Sequence, residues 1–209
     1  MILYDYFRSS CAYRVRIALN LKGLEYERRP IDLRADDQNA ADYRARNPQG
    51  LVPALDVDGI LLTQSLAILD WLDSRAPEPQ LFPADSTARA RVMAQALAIV
   101  ADIQPLGNLR VLRRLGHQFG ADEPAREEWG RHWIMEGFRA LEASVDAPVP
   151  FIGGAAPNAV DVCLVPQMFN ARRFGCPLDG FPKLVAADAA MTALAPVAAA
   201  HPERVAENA

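Results

Sequence analysis

Near its start the sequence sets Arg8, Ser9, Ser10 and Cys11 between a short apolar run and a stretch with helical spacing. Two hydroxyls and a thiol in a row, with a guanidinium directly before them, admit three kinds of chemistry. Dithiol exchange through a C-x-x-C pair needs a second cysteine at position 8 or 14, and both positions are arginine, Arg8 and Arg14. Metal ligation lacks a ligand set. His117, His132 and His201 lie far apart, and only His132 with Glu136 has i, i+4 spacing, which a solvated helix face explains better. The third chemistry is stabilisation of a thiolate. Residues 9–11 fall at the expected N-terminus of a helix, where unpaired N–H groups and the helix dipole favour an anion. A hydroxyl there donates to an ionised sulfur and Arg8 adds positive charge, whether the sulfur belongs to Cys11 or to a bound thiol. The competing reading is a serine that only caps the helix.

Two further features favour a ligand. Gln64-Ser65 opens a later helix, and its N-terminal amides and polar side chains suit a carboxylate. Pro53, directly after Val52, sets the Val52 backbone for strand-like pairing with an extended peptide. Two helix N-termini and a free strand edge together form a cradle for a small peptide carrying a thiol and a carboxylate.

The elements that position these groups follow from pattern. Ile2–Tyr6 reads as a strand, and Cys11, Val15, Ala18, Leu19 and Lys22 follow helical spacing up to Gly23. Tyr26–Leu33 reads as a second strand, and a short helix over Ala40–Arg46 stops at Asn47-Pro48. Val52–Val57 and Ile60–Leu62 are strands joined by Asp58-Gly59, a hairpin signal, and Leu66–Arg75 is a helix. The order β-α-β-α-β-β-α is that of a thioredoxin-like domain. Beyond the proline-rich stretch "APEPQLFPAD" the strand signals vanish. Helical patterns run over 87–104, 108–119, 125–143 and 158–174, with Pro105 expected to end or kink the first. Asn158 and Asp161 are spaced as a capping box. The expected fold is α/β plus all-α, with a thioredoxin-like domain over 1–77, a linker over 78–85 and an all-helical domain over 86–209. Its alanine-rich tail, 186–200, is expected to end in a helix and fray.

Composition narrows the class. With 209 residues, 51% hydrophobic and 23% charged, the chain can bury a core as one or two domains. A net charge of −4 and no polybasic run argue against nucleic acid and membrane surfaces as partners. No signal peptide or membrane span is read, and three widely spaced cysteines suit reduced thiols, so a cytoplasmic protein is expected. Cys163 reads as a small core residue, and Cys176, before Pro177, as an exposed loop residue.

The segments "FRSSCAYRVRIALNLKG", "NPQGLVPAL", "QSLAILDWL", "DIQPLGNLRVL" and "VDVCLVPQMFNARRF" together resemble the zeta-class glutathione transferases, the maleylacetoacetate isomerases. The resemblance runs from about Ile2 to past Pro182. It implies a homodimer, a cis peptide before Pro53, and glutathione as cofactor. By position it implies glutathione contacts at Ser9, Ser10, Cys11, Ala12, Tyr13 and Arg14, then at Val52, Pro53, Gln64 and Ser65. From the helical part it adds Gln104, Asn108, Leu109 and Arg110, and Gln38 from a loop shorter than in relatives.

The implied chemistry is isomerisation of maleylacetoacetate to fumarylacetoacetate in tyrosine and phenylalanine catabolism, by thiolate addition, bond rotation and elimination. Ser9 is the first choice as donor to the thiolate and Ser10 the second, while Cys11 is a site residue that need not attack. Arg8, Arg110 and Arg173 are the cations for a small diacid substrate, with Arg173 favoured over Arg172. Maleylpyruvate isomerases of gentisate-type degradation resemble the chain too, around "LNLKG", "NPQGLVPALD" and "FGADE". In those a histidine stands at the place of Gln104 and the Ser-Ser-Cys turn is altered, which favours maleylacetoacetate. A transferase acting on α-halo acids would use the same groups. A non-catalytic interaction module would be expected to lose the thiolate donor or the Gln64-Ser65 pair, and both are present.

Overall fold

A computed structural model describes residues 1–207. The chain forms two compact units, residues 1–81 joined by the stretch from Thr192 onward, and residues 82–191.

In the first unit β1 (Ile2–Asp5) leads through a tight turn into α1 (Ser10–Leu21), which ends at Gly23 in the left-handed region, φ 63°. β2 (Glu27–Pro30), α2 (Ala41–Arg46), β3 (Ala54–Val57), β4 (Ile60–Thr63) and α3 (Ser65–Arg75) follow. The sheet order is β2-β1-β3-β4, with β1 parallel to β2 and antiparallel to β3, and β3 antiparallel to β4. This is the expected thioredoxin-like arrangement. Asp58 and Gly59 both have positive φ, as a two-residue hairpin turn requires. Three strands are shorter than the sequence suggests. Tyr6 leaves β1 because its carbonyl accepts the Ser9 N–H in the turn, and β2 ends with its one partner, β1. The Val52–Pro53 peptide is cis, as the resemblance implied, and β3 starts after it.

Leu3, Val15, Ile17, Leu55, Ile68, Leu69 and Leu72 form the interior, where α1 packs on α3. One charged cluster sits among them. Buried Asp5 accepts from Arg16 at 2.6 Å and from Arg28 at 2.9 Å. Burial pulls the Arg16 guanidinium below its usual range, and the Asp5 charge opposes that. The same arginines reach the tail: Arg16 Nε donates to the Ala200 carbonyl and Arg28 Nη1 to that of Val205, both at 3.1 Å.

Those bonds correct the expectation for the tail. It does not fray, and from Thr192 it belongs to the first unit rather than to the helical one. It consists of α8 (Pro182–Thr192), α9 (Ala195–Ala199) and α10 (Pro202–Glu207), with Ala187, Met191, Val197 and Ala200 buried. The expected linker is also tied down. Lys22 Nζ donates to the carbonyls of Ala76 (2.6 Å) and Pro79 (2.9 Å), Leu81 and Phe82 are buried, and the division between units falls between those two residues.

The second unit is helical. α4 (Ser86–Leu97) starts at the cap Asp85, whose side chain accepts the Ala88 N–H. Regular helix stops at Leu97, earlier than expected, and a wider π turn over Ala98–Ile103 and a 3-10 turn over Gln104–Gly107 carry the chain past Pro105. Proline lacks the N–H that would continue the ladder and crowds the preceding turn, so the kink falls here. The run Ser86–Phe119 is long and apolar enough to cross a membrane by composition, but this break interrupts it.

α5 (Leu109–Phe119), α6 (Glu123–Ser144) and α7 (Ala159–Arg173) complete the layers. The capping box at α7 is formed. Asn158 accepts from the N–H groups of Val160 and Asp161, and Asp161 accepts from those of Asn158, Ile152 and Gly153. Cys163 is a core residue, as expected. Cys176 is not the exposed residue expected: it is 8% accessible, and burial raises its thiol pKa.

Candidate active site

The turn before α1 is built around the Ser9 side chain. Its Oγ accepts the Ala12 N–H at 3.2 Å, so Ser9 is the N-cap. This does not displace the donor role, because capping uses a lone pair and leaves the hydroxyl proton to give. The N–H groups of Ser10 and Cys11 have no partner among the described residues, as a first helical turn predicts. Ser10 is buried and Cys11 half-buried, while Arg8 is exposed, its guanidinium 5.4 Å from the Phe7 ring centre. The Ala12 and Tyr13 side chains are buried, and their N–H groups are held by the Ser9 hydroxyl oxygen and the Ser9 carbonyl.

The second helix N-terminus lies at α3. Gln64 precedes it with φ 67° and ψ 109°, a conformation that costs a non-glycine residue about 1–3 kcal/mol and is concentrated at functional positions. Ser65 follows, 7% accessible, and its Oγ accepts from Arg14 Nη1 at 3.1 Å. The same Nη1 lies 3.6 Å from the Cys11 sulfur. One guanidinium therefore ties the first turn of α1 to the first turn of α3. Among the described residues no hydrogen bond engages the Val52 backbone, which leaves it open to an extended peptide.

Gln38 lies in a 3-10 turn, its amide nitrogen on Asp36 at 2.7 Å and its amide oxygen buried without a partner among the described residues. Its backbone oxygen abuts Gly50, where an added Cβ would sit 2.8 Å from it and 2.6 Å from the Arg44 guanidinium. Gln49 next door accepts from Gln64 at 3.1 Å, so the 38, 49 and 64 segments form one continuous surface patch.

In the second unit Gln104 lies in the 3-10 turn, and Asn108 caps α5 by accepting the Arg110 N–H at 3.2 Å. Leu109 and Arg110 are exposed. Arg172 and Arg173 part ways here: Arg172 pairs with Asp188 at 2.5 Å, whereas Arg173 lines a cavity of about 280 Å³. Arg113 of α5 and Arg126 of α6 line the same cavity, with Leu109, Leu112 and Phe174 as its apolar wall. Glu123 and Glu127 also line it. Sequence reasoning passed over Arg113 and Arg126. The signal for Arg113 was its i, i+4 spacing from Leu109. Arg126 joins from a different helix and had none.

Comparison with known proteins agrees with this geometry. Residues 8–75 match the family described as Glutathione S-transferase, N-terminal domain. The chain belongs to the glutathione transferase family. Within it, the chain is 46% identical over 205 residues to the maleylacetoacetate isomerase of Rhizobium meliloti (strain 1021), spanning 97% of this chain and 96% of that one. A solved bacterial zeta-class maleyl pyruvate isomerase superposes with a TM-score of 0.95 at 42% identity, over 98% of both chains. The maleylacetoacetate isomerase of Anaeromyxobacter dehalogenans 2CP-1, solved with glutathione in its active site, is 48% identical with a TM-score of 0.86, over 97% of this chain and 95% of that one. The chain is therefore a member of the zeta class, the maleylacetoacetate isomerase family.

Proposed function

We propose that the protein is a glutathione-dependent cis–trans isomerase that converts maleylacetoacetate to fumarylacetoacetate. The observation that carries the reading is the pair of helix N-termini joined by Arg14, set in a chain this similar to isomerases of that name. Glutathione is the cofactor, and the residues fit it. Unpaired N–H groups at α1 suit an ionised sulfur, and the first turn of α3 beside a buried cation suits a carboxylate.

Bound there, glutathione supplies a thiolate able to add reversibly to an activated alkene. The chain's own part is placement and charge. The Ser9 hydroxyl donates its remaining proton to the sulfur, with Ser10 and Cys11 completing the turn. Val52 offers backbone pairing to the peptide, and Gln64 and Ser65 hold its carboxylate end. Arg173, with Arg113 and Arg126 in the same cavity, takes a carboxylate of the diacid. Arg8 and Arg110 supply positive charge where substrate carbonyl oxygens become negative. Gln38, Gln104, Asn108 and Leu109 complete the contacts. The enzyme works as a cytoplasmic homodimer in tyrosine and phenylalanine breakdown.

A second reading has its own support, the 0.95 TM-score with a maleyl pyruvate isomerase. Maleylpyruvate is also a cis-alkene diacid, so the same groups serve it. Gln104 and the intact Ser-Ser-Cys turn favour maleylacetoacetate. Isomerisation of the two substrates, followed side by side with and without glutathione, decides. A glutathione-dependent preference for maleylacetoacetate is expected. A preference for maleylpyruvate would select the second reading, and turnover of neither would overturn both.

A further inference from the structure

Two arginines of α1 are buried, and the protein treats them differently. Arg16 has a carboxylate at 2.6 Å and two backbone carbonyls as acceptors. Arg14, 1% accessible, has no carboxylate among its hydrogen-bond partners. Its Nη1 reaches Ser65 Oγ and Cys11 Sγ, and its Nε and Nη2 find no acceptor among the described residues. A guanidinium is always charged, and a buried charge persists when an opposite charge or strong acceptors offset its desolvation. Here the protein provides neither in full, at the point where two helix N-termini meet.

We propose that Arg14 is a positioning residue that acts through Ser65 and draws its missing counter-charge from the γ-glutamyl carboxylate of glutathione. The inference rests on the cofactor reading and goes further, because Arg14 lies behind the site and does not touch the ligand. By donating to Ser65 Oγ it occupies a lone pair and turns the hydroxyl proton outward. That proton and the Ser65 N–H, which opens α3, become two donors for one carboxylate, with a full positive charge behind them. The Cys11 contact carries the effect to the other end of the site. The guanidinium holds both Cys11 and Ser65, so the seat for the carboxylate and the turn for the sulfur are set by one group. Filling the carboxylate seat sets an opposite charge beyond Ser65, facing the buried cation, and tightens the turn that receives the thiol.

The test is calorimetric and needs no turnover. Glutathione and the analogue in which hydrogen replaces the γ-glutamyl α-carboxylate (γ-aminobutyryl-cysteinyl-glycine) are titrated into the full chain. The proteins are the unmodified one, Arg14→Met, Arg14→Lys, Ser65→Ala and the Arg14→Met/Ser65→Ala double variant. The unmodified protein should prefer glutathione by about 100-fold, the scale of hydrogen bonds to a charged group. Arg14→Met should collapse that preference to a few-fold while affinity for the analogue changes little, and Arg14→Lys should restore part of it. The double variant should be no worse than Arg14→Met alone, because the two groups act as a unit. If Arg14 only packs α1, Arg14→Met weakens both ligands in the same proportion, and the unchanged ratio overturns the proposal. Should Arg14→Met fail to fold, the ratio in Ser65→Ala decides: a fall supports the proposal and an unchanged ratio overturns it. No glutathione binding by the unmodified protein would overturn the cofactor reading and this proposal with it. Binding with an unchanged ratio would overturn this proposal alone.

Discussion

The polar groups at the start of α1 and α3 are held from inside the protein, by a buried arginine and by backbone caps. The arginines of the second unit come from three helices and line a cavity while staying partly or fully exposed. One arrangement is pre-organised: rotamers are locked by burial, so little entropy is lost when a ligand arrives. The other keeps long, charged side chains able to adjust. This contrast matches the tasks proposed for the two regions. A cofactor is the same molecule at every turnover and rewards a rigid seat. A family that handles maleylacetoacetate in one member and maleylpyruvate in another gains from a pliant one.

Breaking the rigid side should cost most. Ser9→Ala should lower kcat/KM by about 100- to 1000-fold, the scale of losing one donor to a developing anion. Its effect on stability should be that of a lost N-cap, about 1 kcal/mol, seen as a small Tm shift in thermal melts. Arg173→Met should lower kcat/KM for the diacid by about 10- to 100-fold. Its glutathione affinity should stay within about two-fold, since its loss falls on the substrate side alone. Arg126→Met should have a smaller effect, about three- to ten-fold, that fades as salt rises, because a partly exposed charge is screened; kcat/KM at two ionic strengths checks this.

Arg172→Met should leave activity unchanged and sharpen the distinction between neighbours. It removes the Arg172 pairing from buried Asp188, a carboxyl whose pKa burial already raises above the ordinary 3.8. A folded-state pKa above the unfolded one gives stability that is present below the unfolded value and lost as pH rises through the folded one. The variant should therefore be destabilised by about 1–3 kcal/mol at neutral pH. Melts at falling pH should show that deficit shrink as Asp188 takes up its proton.

Much of this was legible in sequence where the signal is local. The Asp58-Gly59 hairpin, the Asn158 and Asp161 capping box and the Ser9 to Cys11 turn each depend on residues within a few positions, and each stands where the spacing placed it. What stayed hidden depends on residues far apart. Nothing near Arg14 or Arg16 announces that two arginines one helical half-turn apart are both interior, one facing Asp5 and the other Ser65. An alanine-rich tail reads as frayed until Arg16, Asn20 and Arg28 are seen to hold its carbonyls. Nothing in the sequence marks Arg126, because the cavity it lines is made by three helices.

The division of labour between a fixed cofactor seat and an adjustable substrate seat is tested most directly by the dissociation constant of glutathione in Ser65→Ala and Arg173→Met, measured side by side with the unmodified protein. Ser65→Ala should weaken glutathione by about ten-fold or more, and Arg173→Met should leave it within about two-fold. Glutathione binding that survives Ser65→Ala and fails in Arg173→Met would contradict the account.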